Sequence, residues 1–367
     1  IKHKFNKKGE NMEQQYEFDE KLVQKTAEEV IDKQNEEIEK SLDNRLVITV
    51  MGIVNVGKST LIRQILDINY SHVKPEISSI PGTTKKVEIY NLEKNIVIAD
   101  TPGLEDVNKE IAQKTLDFIK DSDIVLYLFN ATIGVSEQQK IAYDRVSGKK
   151  PTLVILNKID AVKKEDDRIK LLEHTKKTLN TDNVIMTCAE EGYNVDKVIK
   201  WVNNILEKSG KDLLWAKIAR KKDEIVDKWI MGASMTAAAI GALPIPGSDI
   251  VPLTACQIGL ILKIGSVYGY KLSREDARAL IGPTLSGMIG RTIFRQLVKL
   301  FPGVGWLVAA AIAGSITYAL GKTMKMYFKS GMTIPIEQLG QIAVEYAKEA
   351  KQYEDIFKEE RKKAKSS

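Results

Sequence analysis

Gly52-Ile53-Val54-Asn55-Val56-Gly57-Lys58-Ser59 follows the apolar run Leu46 to Met51 and precedes Thr60-Leu61-Ile62, so the pattern G-x-x-x-x-G-K-[ST] stands between a strand and a helix. Such residues handle phosphate. Main-chain N–H groups of a glycine-rich turn, here Asn55, Val56, Gly57, Lys58, Ser59 and Thr60, converge on phosphate oxygens at a helix N-terminus whose dipole favours negative charge. Lys58 supplies a point charge for the β and γ phosphates, and Ser59 a hydroxyl for Mg²⁺.

Further motifs follow in an order that suits a guanine-nucleotide switch. Asp100-Thr101-Pro102-Gly103 ends the apolar stretch Asn95 to Ala99, which places a carboxylate where it can hold Mg²⁺ through water and the Gly103 N–H where it can reach the γ-phosphate. Between these two motifs lies Pro81-Gly82-Thr83-Thr84, a turn followed by two hydroxyls. Thr84 is the expected Mg²⁺ ligand, with Thr83 as the alternative; Lys58, Thr84 and Gly103 are the groups expected at the reacting phosphate. Asn157-Lys158-Ile159-Asp160 closes the run Thr152 to Leu156, and the Asp160 carboxylate can accept from guanine N1 and N2, a pattern adenine does not offer. Thr187-Cys188-Ala189 ends Val184 to Met186, where a main-chain N–H, assigned to Ala189, could read guanine O6.

With GIVNVGKST, PGTT, DTPGL, NKID and TCAEEG in this order, residues 46–208 resemble the GTPase domain of the TrmE–Era–Der–YihA–Septin group. The resemblance implies an α/β P-loop fold with a doubly wound, mostly parallel sheet, GTP and GDP as ligands, Mg²⁺ as cofactor and hydrolysis of GTP. Two departures stand out: TCAEEG replaces the usual SA-x-x-G, and Lys85-Lys86 stands where relatives often carry Arg-Asp. Leu104 occupies the place where Ras-like proteins have the glutamine that orients water, so hydrolysis must be helped otherwise. In several relatives an asparagine at the Asn55 position helps bind K⁺ together with carbonyls of the first switch, here Ser78 and Ile80. The other reading of Asn55 is a residue that merely suits the loop.

Composition narrows the remaining classes. The 367 residues suffice for two domains. The two cysteines, Cys188 and Cys256, have no metal or redox spacing, and His3, His72 and His174 are scattered, so neither a zinc site nor a Ser-His-Asp or Cys-His hydrolase is supported. The first ten residues are basic and lack an apolar run, so no cleavable secretory signal is expected, and Met12 is a candidate start.

Four regions are expected: a charged amphipathic helix within 1–45, the GTPase domain at 46–209, a hydrophobic helical domain at 210–330 and a basic amphipathic helix at 331–367. Beyond Lys211, Lys217, Arg220, Lys221 and Lys222 suggest a basic helix, and from Trp229 until Lys263 is reached the sole charge is Asp249. Leu300 to Gly321 is a run of 22 residues without a charge. At about 1.5 Å per residue it could just cross a hydrocarbon core. ALPIPGSDIVPLTACQIGLI and PGVGWLVAAAIAGSITYALG resemble the DUF697 family, a Gly/Ala-rich helical domain without an assigned reaction, over roughly residues 225–330.

Two readings compete for this half. Small residues (Gly232, Ala233, Gly241, Ala309 to Ala311, Gly314), Trp229 and Trp306 at interfaces and flanking basic side chains on anionic lipid would suit a membrane; the same residues would equally make a dry helical core. The C-terminal face Ile336, Leu339, Ile342, Ala343, Tyr346, Ala350, Tyr353 and Phe357 could lie on a membrane or pack on the protein itself. A cytoplasmic location follows, with peripheral or integral contact at the inner membrane's cytoplasmic face. Expected partners are guanine nucleotide, an anionic membrane surface, a nucleotide-dependent second copy and an unidentified protein; no aromatic-basic module recommends nucleic acid, despite a net charge of +6. A GTP-hydrolysing switch is the leading function. A nucleotide-gated scaffold with negligible turnover and a dynamin-like or immunity-related membrane-remodelling GTPase are the alternatives.

Overall fold

The computed structural model describes residues 33–79, 86–101, 119–241, 250–272 and 306–364. By internal contacts the chain divides into two compact units: one holds residues 37–228 and 266–270, the other the remainder.

The first unit is built on a seven-stranded sheet. Its strands are β1 (Leu46–Gly52), β2 (Glu76–Ser79), β3 (Lys86–Glu93), β4 (Ile96–Asp100), β5 (Ile124–Asn130), β6 (Thr152–Asn157) and β7 (Val184–Met186), in the order β2-β3-β4-β1-β5-β6-β7. The β4-β1-β5-β6-β7 part is parallel throughout. β1, β4 and β6 are buried at every position, as continuous apolar runs must be when helices cover both faces. β2 and β3 add an antiparallel edge, with Glu88 opposite Asp100. The helices of this unit are α1 (Lys58–Ile65), α2 (Glu137–Asp144), α3 (Glu165–Leu179), α4 (Val195–Lys208) and α5 (Asp212–Ile218), and α4 buries Val195, Val198, Ile199, Val202 and Leu206 at helical spacing.

The expected basic helix through Lys222 is two pieces. α5 stops at Ile218, Ala219 is extended (φ −69°, ψ 137°), and α6 runs from Lys222 to Gly241. Its cations face protein groups: Lys217 Nζ lies 2.7 Å from Glu93, Lys221 2.8 Å from Glu224, Lys222 3.2 Å from Asp67, and Lys228 2.6 Å from Glu207. Arg220 donates to Gln64 Oε1.

The second unit is helical, with the later turns of α6 joined by α7 (Ile250–Val267), α8 (Trp306–Lys329), α9 (Ile336–Ala350) and α10 (Glu354–Ala364). Its small residues sit where helices approach closely. A Cβ on Gly241 would stand 2.7 Å from Ala313 Cβ, one on Gly314 2.9 Å from the Phe357 ring, and one on Gly321 2.9 Å from Ile230. Gly232 is the exception, with open space around it. Trp229 is buried beneath Lys263, whose ammonium lies 3.9 Å from the ring centroid, rather than at an exposed interface. α9 packs along α8 and buries Leu339, Ala343, Ala347 and Ala350, while Ile336 is exposed, so the expected apolar face is largely spent inside the protein. Among the described residues no helix is long and apolar enough to cross a membrane. Asp249, the start of the uncharged run (residues 300–305), the side chain of Trp306 and the basic side chains from Arg361 to Lys365 lie outside the described residues.

Candidate functional site

The loop after β1 is shaped by three residues with positive φ: Gly52 (147°), Asn55 (61°) and Gly57 (98°). The two glycines are obligatory. A Cβ on Gly52 would fall 2.6 Å from the Leu128 carbonyl oxygen, and one on Gly57 would strike the Asn157 amide. Asparagine tolerates the left-handed region better than most residues, which suits Asn55. Gly57 caps α1 and its carbonyl accepts the Leu61 N–H at 2.9 Å, so Lys58, Ser59 and Thr60 form the first turn of that helix.

Lys58 Nζ donates to the carbonyls of Gly52 (3.2 Å) and Ile53 (3.1 Å) and lies 3.7 Å from Asp100 Oδ1. Ser59 Oγ donates to Asp100 Oδ2 at 3.0 Å. Asp100 is only 7% exposed. Burial pushes its carboxyl above the usual carboxylate range; Lys58 and Ser59 pull it back down, and Glu88 pushes it further up. A buried carboxylate with a hydroxyl beside it, at the mouth of a phosphate loop, is a donor set that fits Mg²⁺. Two neighbours were not foreseen, Tyr90 and Glu88: the Tyr90 hydroxyl donates to Glu88 Oε2 at 3.4 Å, and Glu88 pairs with Asp100 across the strands. Finding them required the antiparallel register that sets Glu88 opposite Asp100.

The second half of the site lies at the ends of β6 and β7. Asn157, 2% exposed, donates from Nδ2 to the Val56 carbonyl at 2.8 Å. Its Oδ1 accepts from Thr187 Oγ1 at 3.0 Å and from the Ala189 N–H at 2.9 Å. Asn157 therefore clamps the phosphate loop to the Thr187–Ala189 loop. The Ala189 N–H, expected to read the base, is given to this clamp. Lys158 adopts φ 64°, which turns the chain so that Asp160 is exposed in a single 3-10 turn, Ile159–Ala161. Cys188 lies buried behind it; burial pushes its thiol up, the Glu191 backbone holds it down in part, and the nearby Asp160 carboxylate adds to the rise. Thr83, Thr84, Gly103 and Leu104 lie outside the described residues, and so does Ile80.

A parallel sheet with its glycine loop, lysine and Mg²⁺-type carboxylate on one strand edge and an Asn-Lys-x-Asp turn beside it defines a P-loop GTPase. Residues 47–158 match the family described as 50S ribosome-binding GTPase, and residues 203–352 match DUF697, a domain of unknown function. The chain thus carries a GTPase domain with Era/Der/MnmE-like homologues, followed by a C-terminal DUF697 domain. Among similar proteins are the GTPase Der of Thermotoga sp., 30% identical over 200 residues covering 50% of this chain and 44% of that one. The tRNA modification GTPase MnmE of Desulforamulus reducens is 29% identical over 164 residues, 43% of this chain and 34% of its own. Magnetosome membrane protein 22 of Magnetospirillum gryphiswaldense is 29% identical over 118 residues, 30% of this chain and 60% of that protein. The chain thus spans less than half the length of the Der and MnmE relatives.

Proposed function

We propose that this chain hydrolyses GTP to GDP and phosphate and works as a switch whose nucleotide state alters the packing or self-association of its helical domain. The observation that carries this reading is the Lys58, Ser59 and Asp100 constellation, closed by hydrogen bonds at 3.0 to 3.2 Å and a 3.7 Å ion pair. Bound Mg²⁺ would supply charge neutralisation between the β and γ phosphates. Ser59 and Asp100 would hold it, with Thr84 as the third contributor, and Lys58 would leave its two carbonyl partners for phosphate oxygens. The Gly103 N–H is assigned to the γ-phosphate, Asp160 to guanine N1 and N2, and Cys188 to the orientation of Asp160. Asn157 acts by positioning both loops.

K⁺ is part of the proposal through Asn55 and the Ser78 and Ile80 carbonyls, where it would supply the charge that an arginine finger supplies elsewhere. Turnover should then be faster in K⁺ than in Na⁺, and Asn55→Ala should remove that difference; equal rates in both salts would leave Asn55 a loop residue only. The test of the main reading is phosphate release from GTP and from ATP, with and without Mg²⁺. Release from GTP alone, and with Mg²⁺ alone, is expected.

A second reading, a nucleotide-gated scaffold with negligible turnover, is favoured by Leu104 in place of a water-orienting glutamine. Tight GTP binding without phosphate release would select it. The proposed location is cytoplasmic, with peripheral contact at the inner membrane; the support is the magnetosome membrane relative. Flotation with anionic vesicles in each nucleotide state tests it, and nucleotide-dependent oligomers on those vesicles would favour the membrane-remodelling reading.

A further inference from the structure

The stretch between α1 and β2 leads into the first switch, and it is fastened to the turn between α5 and α6. Leu66 and Ala219 form an isolated antiparallel bridge. On either side, the Arg220 N–H donates to the Ile65 carbonyl at 2.9 Å and the Asp67 N–H to the Ile218 carbonyl at 2.7 Å. Side chains repeat the connection: Lys222 Nζ lies 3.2 Å from Asp67 Oδ2, with both side chains less than a fifth exposed. A third layer passes through the end of β3, where Glu93 accepts from the Tyr70 hydroxyl at 2.5 Å and from Lys217 Nζ at 2.7 Å.

Resting on the switch reading above, we infer that the elbow Ile218–Lys222 is the coupling element that carries the state of the first switch to α6. Tyr70, Asp67, Glu93, Lys217 and Lys222 are its positioning residues. The physical argument has two ends. Residues 67–79 continue directly into Pro81 to Thr84, so ordering of that loop around the γ-phosphate acts on a segment whose other end is held at the elbow. α6 begins at Lys222, inside the fastened turn, and runs unbroken to Gly241; its residues from Trp229 onward belong to the helical unit. A change at the elbow would thereby reach the part of α6 that belongs to that unit along one continuous helix. The competing account, a clasp that only stabilises the sheet unit, predicts lost stability but an unchanged response of α6.

Hydrogen exchange on the full chain separates the accounts, comparing GDP with a nonhydrolysable GTP analogue. The coupling predicts that both the first switch (residues 76–84) and α6 change protection in the wild type. In Lys217→Met the switch should still respond and GTP affinity should stay within about threefold, while the α6 difference shrinks by about threefold or more. The charge swap Glu93→Lys with Lys217→Glu should restore it. Asp67→Asn, which leaves the main-chain bridge intact, repeats the test should Lys217→Met fold poorly. An α6 difference that survives both variants, or a wild type whose switch responds while α6 does not, overturns the coupling. Silence in both segments would sink the switch reading itself, and the coupling with it.

Discussion

Glycine and buried polar groups are used in opposite ways by the two units. In the sheet unit, Gly52 and Gly57 have positive φ, and the room they leave is taken by Leu128 and Asn157, so the loop takes a backbone that a side chain would forbid. In the helical unit, Gly241, Gly314 and Gly321 lie within regular helices and simply let neighbours approach. Buried polar groups follow the same division. Ser59 and Asp100 meet beside the phosphate loop and Asn157 ties that loop to Thr187 and Ala189, whereas Gln257 donates to Thr317 at 3.0 Å and Ser234 to the Ile230 carbonyl at 2.7 Å, closing on the helices themselves. The sheet unit gathers several of its buried polar groups around the phosphate loop; the helical unit, among these described residues, spends them on packing.

The sharpest way to break this contrast is to remove a site group. Lys58→Ala should lower GTP affinity on the order of 100-fold, the scale of one or two charge-assisted bonds, with thermal stability little changed. Calorimetric titration with Mg–GTP and a melting curve read the two halves of that statement. Gly321→Val should do the reverse: the added methyls meet Ile230 and Leu260, costing about 1–3 kcal/mol of stability, while GTP affinity stays at the wild-type value. A Gly321→Val chain with full stability would show that the helical unit is not tightly packed there. Asp160→Asn should shift preference from guanine toward xanthine nucleotides, read by competition binding, because the acceptor for guanine N1 and N2 is lost.

The smallest effect concerns Tyr318, whose hydroxyl donates to Glu349 at 2.5 Å. Burial, first, and that carboxylate push the phenol above its ordinary value of 10.0. The folded chain therefore keeps the proton more tightly than the unfolded chain. This contribution is whole below the ordinary phenol value and is lost as pH rises through and beyond it. Urea unfolding at about pH 9 and about pH 11 should show a smaller alkaline loss in Tyr318→Phe than in the wild type. An equal loss in both chains would remove Tyr318 from that limb.

Much of the sheet was legible because β1, β4, β6 and β7 are short apolar runs that end in a motif residue or run directly into one. β2 and β3 were not read as strands, since Glu76-Ile-Ser-Ser and Lys86-Val-Glu-Ile-Tyr-Asn-Leu-Glu carry mixed polarity suited to an antiparallel edge. The break between α5 and α6 has no Gly or Pro to announce it. It is imposed by pairing of Ala219 with Leu66, a contact across 153 positions of sequence (219 minus 66). The same holds for the site. Residue types pointed to Lys58, Ser59, Asp100 and Asp160 as site groups, and Asn157 and Ala189 were expected to face the ligand; only the bonds of these last two to Val56 and to each other reveal the clamp.

The central claim, GTP hydrolysis at the Lys58 and Asp100 site, is tested most directly by single-turnover phosphate release from GTP in Mg²⁺ and K⁺, with Lys58→Ala as control. The account predicts release that needs Mg²⁺, is absent with ATP and disappears in Lys58→Ala. Release unchanged in Lys58→Ala, or equal from ATP and GTP, would contradict it.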